Sequence, residues 1–386
     1  MRLINILLLL ILLLLGSCID RFVPDTTRYD DMIFIECLVN NDTTTRSRLL
    51  ISQSAPLYTY SEHSNAKPQK LSGAVAGIIC NDGNEFPFDE SAPGTYLTAS
   101  DFIPEPGKSY KLFVLYDGNI FESNFEKMRA ASPIDSITYK TVLDKRSEDG
   151  ITVSGYRFFT STHQDAAGIS YYRWSMDATY LFSVPYTATH IWNGKETLPA
   201  SNDSVKTCFF SKNITGIYVA STSGLAENRI INAPLHFESQ YGEALSIRYS
   251  LHVKQLSISE SAYRFWNDLS KLVDRAGGLY EIQPFSVRGN VFCTTESDVK
   301  VAGIFEVAGV TDTRIFADRP TDFKIIPFTC YQQYVGTRDY PWYRVPKGAF
   351  LTLDLYTLNY LISSADCYDC TLRGGYTTRP PFWEDH

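Results

Sequence analysis

From Met32 to about Ala130 the chain is a succession of runs five to eight residues long, rich in β-branched and aromatic side chains and closed by turn residues. The runs are MIFIECLV (32–39), RLLIS (48–52), AVAGIIC (74–80), TYLTA (95–99), YKLFVLY (110–116) and NIFES (119–123). Runs this short cannot carry the buried stripe of a helix, but they match half-buried strands. Asn81-Asp82-Gly83-Asn84 and Asp117-Gly118-Asn119 predict hairpins, because Asn, Asp and Gly tolerate positive φ. Six or seven strands in about 100 residues predict a β-sandwich of immunoglobulin or transthyretin-like type over residues 31–132. Tyr 25 and Phe 23 in 386 residues fit that reading, since aromatics favour strands and binding surfaces.

Ala131-Ser132-Pro133 closes this unit, and Ile134 opens a second, larger β-rich region over residues 133–386. Its strand-like runs include YRFFTST, ISYYRWSMDATYLF, KTCFFS, ALSIRYSLHVKQLSI, KVAGIFEVAG and TRIFAD. One helix is expected among them, near residues 260–276. Ala262, Phe265, Trp266, Leu269, Leu272, Val273 and Ala276 repeat at the spacing of one buried face. Ser257 with Glu260 suggests a capping box, and Gly277-Gly278 a stop. Phe265 and Trp266 have two readings, a ligand platform or packing of the helix on a sheet. The expected class is therefore mainly β, with one amphipathic helix in the second domain.

The N-terminus gives an address. Met1-Arg2 precedes an apolar run, Leu3 to Leu15, too short to span a bilayer as a helix and right for the core of a secretory signal. It ends in Leu15-Gly16-Ser17-Cys18, similar to a bacterial lipobox. Residues 1–17 are expected to be removed and Cys18 lipidated, holding the protein at a membrane without spanning it. Residues 18–30, polar and containing Pro24, read as a tether. Asp20 is not adjacent to the lipidated cysteine, so an outer-membrane location is expected, on either face.

Lys+Arg 35 against Asp+Glu 43 gives a net charge of -8, so there is no basic field for a nucleic-acid partner. Phosphate-binding glycine loops, G-x-S-x-G elbows and H-E-x-x-H helices are absent from the sequence. The six histidines are scattered; only His236 and His252 could approach across strands. Asp298, Asp312, Asp318 and Asp322 lack the spacing of a calcium loop. No metal, cofactor or catalytic role is expected.

Cysteine carries the clearest local chemistry. Beyond Cys18 there are seven: Cys37, Cys80, Cys208, Cys293, Cys330, Cys367 and Cys370. Cys37 and Cys80 fit either buried thiols or an inter-sheet bridge. Cys367-Tyr368-Asp369-Cys370 admits a redox motif, a zinc site completed by Asp369 or His386, or a structural disulfide. In an exported protein the last is favoured, with Cys330 bridged to one of the pair. Tyr331, Tyr334, Tyr340, Trp342 and Tyr343, followed by Tyr356 and Tyr360, form the candidate binding surface; the alternative is that they pack a β core.

Several segments resemble Bacteroidota outer-membrane lipoproteins of domain-of-unknown-function family 4249. They are the lipobox, Ser52-Gln53-Ser54-Ala55-Pro56-Leu57, LSGAVAGI, PGKSYKLFV, SISESAYRFWNDL, GNVFCTTESDVKVAGIFEVAGVTDTRIF and the ending CYDCTLRGGYTTRPPFW. The resemblance implies an accessory protein encoded beside TonB-dependent receptors, with no catalytic residues to carry over. It implies a tight turn at Gly374-Gly375 and a docked tail at Arg379-Pro380-Pro381-Phe382-Trp383. It also draws attention to Asp25-Thr26-Thr27, Asp42-Thr43-Thr44, Asp135-Ser136-Ile137 and Asp203-Ser204-Val205, which resemble an O-glycosylation sequon. The expected function is a lipid-anchored binding protein that partners a TonB-dependent receptor in uptake of a small nutrient, peptide or glycan. The alternatives are an envelope adhesion or structural lipoprotein, and a hydrolase with a dispersed site.

Overall fold

Alternation along the first strand divides its side chains between two environments. In β1 (Ile33–Asn40), Ile35, Cys37 and Val39 are buried, while Phe34 and Glu36 point out of the other face. The computed structural model describes residues 32–53, 68–146, 152–275, 287, 289–296 and 298–384. Cys18, the tether, Ser54 to Leu57, His63 and His386 lie outside the described residues.

The first unit continues through β2 (Arg48–Gln53), β3 (Gln69–Lys70), β4 (Val75–Cys80), β5 (Glu85–Ala92), β6 (Thr95–Thr98), β7 (Ser109–Tyr116), β8 (Asn119–Ser123) and β9 (Glu126–Lys127). One layer runs β1-β2-β6-β5 and the other β5-β4-β7-β8, with β5 passing from one to the other. Leu49, Ile51, Ile78, Leu112, Val114 and Phe121 fill the space between. Cys37 and Cys80 sit in this core as free buried thiols, so the inter-sheet bridge is not made.

The second unit holds β10 (Ile134–Arg146), β11 (Thr152–His163), β12 (Tyr171–Ser183), β13 (His190–Trp192), β14 (Thr197–Pro199), β15 (Thr207–Ser221), β16 (Arg229–Ser239), β17 (Arg248–Ile258) and helix α1 (Glu260–Arg275). After them come β18 (Val291–Cys293), β19 (Val301–Asp318), β20 (Gln333–Tyr334), β21 (Phe350–Leu353) and β22 (Tyr360–Ile362). The β15-β12-β17-β19 layer packs on the β10-β11-β16 layer. Phe158, Trp174, Leu235, Tyr249, Leu251 and Val253 make the core between them.

The runs KVAGIFEVAG and TRIFAD belong to one strand. Residues 301–308 of β19 pair in parallel with β1, from Ile33 opposite Val301 to Asn40 opposite Ala308. Residues 309–318 then pair antiparallel with β17, from Ser257 opposite Gly309 to Arg248 opposite Asp318. β18 meanwhile pairs with β8. The sandwich expected over 31–132 is therefore not contiguous in sequence: residues near 132 are where the chain first leaves it, and 291–308 return to complete it. Periodicity locates strands, but it does not say which distant strand each one pairs with.

The two units join at a crowded, polar seam. A Cβ on Gly309 would lie 2.5 Å from both the Ala131 nitrogen and the Arg129 oxygen, so glycine lets the connecting chain cross β19. Beside it, the buried Ser132 gathers hydrogen bonds. Its Oγ accepts from Gln164 Nε2 (2.9 Å), Tyr172 OH (3.2 Å) and Ser257 Oγ (3.2 Å), and its N–H donates to Ser257 Oγ. Gln255 Nε2 donates to the Ser132 carbonyl at 3.1 Å and accepts at Oε1 from Trp174 Nε1 at 3.0 Å.

Helix α1 lies on the outer side of this junction, where Ala262, Tyr263, Phe265 and Trp266 meet Tyr171, Leu256, Ile258, Ile304 and Ala308. Its cap is Ser259, whose Oγ accepts from the Ala262 N–H at 3.2 Å. Ser257, the expected cap, is still in β17 and belongs to the Ser132 network. Trp266 Nε1 donates to Glu306 Oε2 at 2.5 Å, and Arg173 pairs with Glu306 at 2.9 Å while lying over the indole. That burial partner assigns Trp266 to holding the helix on the sheet.

Gly309→Ala places a methyl group against fixed backbone, and overpacking of this kind costs about 1–3 kcal/mol. Urea denaturation is expected to give a lower midpoint at unchanged m-value; an unchanged midpoint would refute the crossing as a packing constraint.

Candidate functional site

The C-terminal residues, with the β13–β14 hairpin, build a small cap at the Asp318 end of β19. Its sheet has the order β14-β13-β21-β22-β20. Val335, Val345, Leu351 and Ile362 form its core, flanked by Trp192, Tyr340, Trp342 and Tyr360. A core this small needs covalent support. Cys330 is bonded to Cys367, and Cys370 to Cys208 at the start of β15. Each cysteine of the C-x-x-C pair thus has a different partner, which removes the redox and zinc readings. Closing loops with sequence separations of 37 and 162 is worth roughly 4 and 5 kcal/mol on the chain-entropy scale.

The terminal motif explains itself residue by residue. Arg373 donates to the Asp366 carbonyl at 2.7 Å, pairs with Glu243, reaches Cys330 Sγ at 3.0 Å and lies over the Phe328 ring. Gly374 ends the preceding turn at φ 81°, where a side chain would be strained. A Cβ on Gly375 would meet Cys208 Cβ at 2.6 Å, so the second glycine makes room for the disulfide. The tail then docks: Trp383 is buried between Phe209 and Phe316, and Arg314 lies 3.7 Å over Phe382.

The predicted aromatic cluster divides. Tyr340 and Trp342 are half-buried in the cap, Trp342 against Trp192 and Tyr360. Tyr331 is 81% exposed, Tyr343 82% and Tyr356 100%. Tyr334 lies between these extremes, its hydroxyl donating to Asp354 Oδ2 at 2.7 Å. Asp354 also accepts from the Tyr356 N–H (3.0 Å) and Thr357 Oγ1 (2.8 Å). It thereby fixes a turn on which Leu355, Tyr356 and Leu358 all face outward. Sequence reasoning passed over Leu355 and Leu358; the signal was a leucine pair flanked by Asp354 and Asn359, residues that favour turns. Elsewhere on the cap, a cleft of about 570 Å3 is lined by Tyr331, Tyr340, Phe350 and Tyr368, with Lys347 and Asp369 on it.

A second cleft, of about 910 Å3, lies at the other end of β19, near Met32. Phe265, Leu269 and Leu272 of α1 form one side, and Phe34, Ile304 and Phe292 line it as well. Phe265 thus serves both readings, packing the helix and lining a cavity. Cys293 also borders this cleft. Burial acts to raise its pKa, but the Thr295 hydroxyl and the Glu296 and Thr295 amides hold the thiol below its ordinary 9.0.

His236 and His252 are not joined. His236 hydrogen-bonds Glu238 at 3.0 Å, whereas His252 lies between Asp177 (2.9 Å) and Asp312 (2.7 Å). Among the described residues no group of three or more His, Cys, Asp or Glu is placed to hold a metal. Of the sequon-like triplets, Thr43, Ser136 and Ser204 are exposed, and Asp25-Thr26-Thr27 lies outside the described residues.

In the full mature chain carrying Cys18→Ser, the native protein is expected to release one equivalent with a thiol reagent, from Cys293. Three equivalents are expected after unfolding without reductant; more than three would refute the pairing of the four disulfide cysteines. His252 gives a second expectation. The Asp177 hydrogen bond, against some opposing burial, raises its pKa above the ordinary 6.5. Its contribution to stability is therefore complete below pH 6.5 and lost as pH rises through the higher folded value. Thermal melts of the wild type should fall across that window relative to His252→Gln; parallel profiles would refute the ion-paired histidine.

A search of curated proteins returns none that matches. Among solved structures, a DUF4785 family protein from Legionella pneumophila aligns with 11% identity and a TM-score of 0.17, over 58% of this chain and 52% of that one. The chain thus spans about half the length of that protein, and a likeness so low carries no argument. A match to the family described as "Domain of unknown function (DUF4249)" covers residues 19–314, three quarters of the chain, and stops before the disulfide-bonded ending. The chain belongs to the DUF4249 family.

Proposed function

We propose that this protein is a lipid-anchored outer-membrane lipoprotein that binds rather than catalyses, docking its C-terminal cap onto a TonB-dependent receptor to assist uptake of a nutrient. The observation that carries the reading is the outward aromatic and leucine surface of the cap: Tyr331, Tyr343, Leu355, Tyr356 and Leu358 on a disulfide-stapled base. Exposed large apolar groups gathered on one rigid element mark interaction sites. Position adds support. β19 has 18 residues, and at about 3.3 Å per residue it separates the end beside Met32 from the cap end by roughly 55 Å. An anchor at Cys18 would then sit at one pole and the aromatic surface at the other, available to a partner.

The test uses the C-terminally tagged protein purified from outer membranes in mild detergent. A TonB-dependent barrel is expected to co-purify stoichiometrically, and Tyr331→Ser/Tyr343→Ser/Tyr356→Ser to reduce its recovery at least tenfold, with an unchanged melting temperature because all three side chains are exposed. Recovery of the lipoprotein alone, or equal recovery with the triple variant, overturns the receptor reading. Cys18→Ala is expected to move the protein into the soluble envelope fraction; persistence in membranes after an alkaline wash overturns the anchor.

A further inference from the structure

Among the described residues, the outer face of the β1–β19 pair is covered over only half its length. Leu38, Glu306 and Ala308 lie under α1, with Trp266 bonded to Glu306. Toward the start of both strands Phe34 stands opposite Ala302, and Phe34 is 42% exposed. This stretch borders the 910 Å3 cleft, walled by Phe265, Leu269 and Leu272 on one side and Phe292 on another. The volume falls in the range of roughly 300–1,000 Å3 that encloses small ligands. The charged residues that line it are Glu36, Glu296 and Lys300. A sugar or peptide would have to leave polar groups unpaired against such a wall, whereas a hydrocarbon chain has none to satisfy.

The cleft's position selects one hydrocarbon. Met32 is among its lining residues, and Cys18 lies fourteen residues before it. A chain of that length reaches at most about 50 Å, and a flexible one averages roughly 20 Å end to end. Any group on Cys18 is therefore held near the cleft at an effective concentration of about millimolar.

We propose that this cleft is the docking site for an acyl chain carried on Cys18 of the same molecule. The inference rests on lipidation at Cys18. The tethered acyl chain lies along Phe34 and Ala302 beneath α1, leaving its glyceryl end toward the charged residues. In that state part of the anchor is sheltered by the protein itself, which gives the lipoprotein a way to travel between membranes without exposing all of its lipid.

Mass spectrometry of the purified native protein first establishes whether Cys18 is acylated; an unmodified cysteine removes the lipidation reading without touching the cleft. The cleft is then tested separately on the full mature chain carrying Cys18→Ser, titrated with cis-parinaric acid. Saturable binding near one equivalent is expected, weakened at least tenfold by Leu269→Glu or Leu272→Glu, two half-exposed positions that the helix can spare. Absence of saturable binding, or binding indifferent to both variants, overturns the site. The source is fixed by growing cells on a diazirine fatty acid and irradiating them. Adducts from the Cys18 acyl chain to residues 265–272 and 299–304 of the same polypeptide support the proposal. Adducts only to phospholipid, to another protein or to a second copy overturn it.

Discussion

The architecture depends on the pairing of β19 with two strands that run in opposite senses. β1 and β17 are far apart in sequence, and a parallel partner for β1 requires a long crossover. β19 meets both demands by serving β1 with its first eight residues and β17 with its last ten. The hydrophobic pattern carries the change of partner. Phe305 and Val307 face the first core, Ile304 and Ala308 lie under α1, and Ala317 joins the second core. A one-residue slip would turn every one of these to the wrong side. Register is therefore fixed from both ends, and the two sandwiches hold one orientation through a shared backbone ladder.

Such a strand needs its surroundings to accept it, and the seam does so with small and polar groups. Gly309 permits the 129–131 chain to cross, and Ser132, Gln255 and Ser257 saturate one another where the two cores separate. Glu306 is 1% exposed inside this region; its carboxylate is acceptable because Arg173 and Trp266 supply donors on two sides. Removing one partner would leave a buried charge uncompensated, which is more costly than losing the contact itself. The helix is thus placed by a polar clamp as much as by its apolar stripe.

Local order was legible in the sequence, and distance was not. The strand runs of the first 130 residues and the helix are properties of short windows, in which residue type and spacing act directly, whereas the turn at Gly374-Gly375 and the docked tail were implied by the family resemblance. The Cys330–Cys367 bond was within reach because its partners cluster near the end of the chain. Cys208 was not, since it is 162 residues from Cys370 and its surrounding run KTCFFS looks like any strand. The division of the aromatic cluster followed the same limit. Trp342 and Tyr343 are adjacent, yet one packs on Trp192 from a distant hairpin and the other faces outward.

Rigidity explains why the cap can expose so much apolar surface. A turn bearing Leu355, Tyr356 and Leu358 would, on a soft loop, collapse onto the nearest apolar wall. Here Asp354 holds the turn by accepting two hydrogen bonds within it, and a third, from Tyr334, fixes it to β20. The Cys208–Cys370 bond and the tie of Arg373 to Glu243 fasten the sheet beneath to the second sandwich, and Cys330–Cys367 braces the ending itself. Ordering entropy is thereby removed before any partner arrives, so contacts made by these side chains count more fully toward affinity than those of a mobile loop.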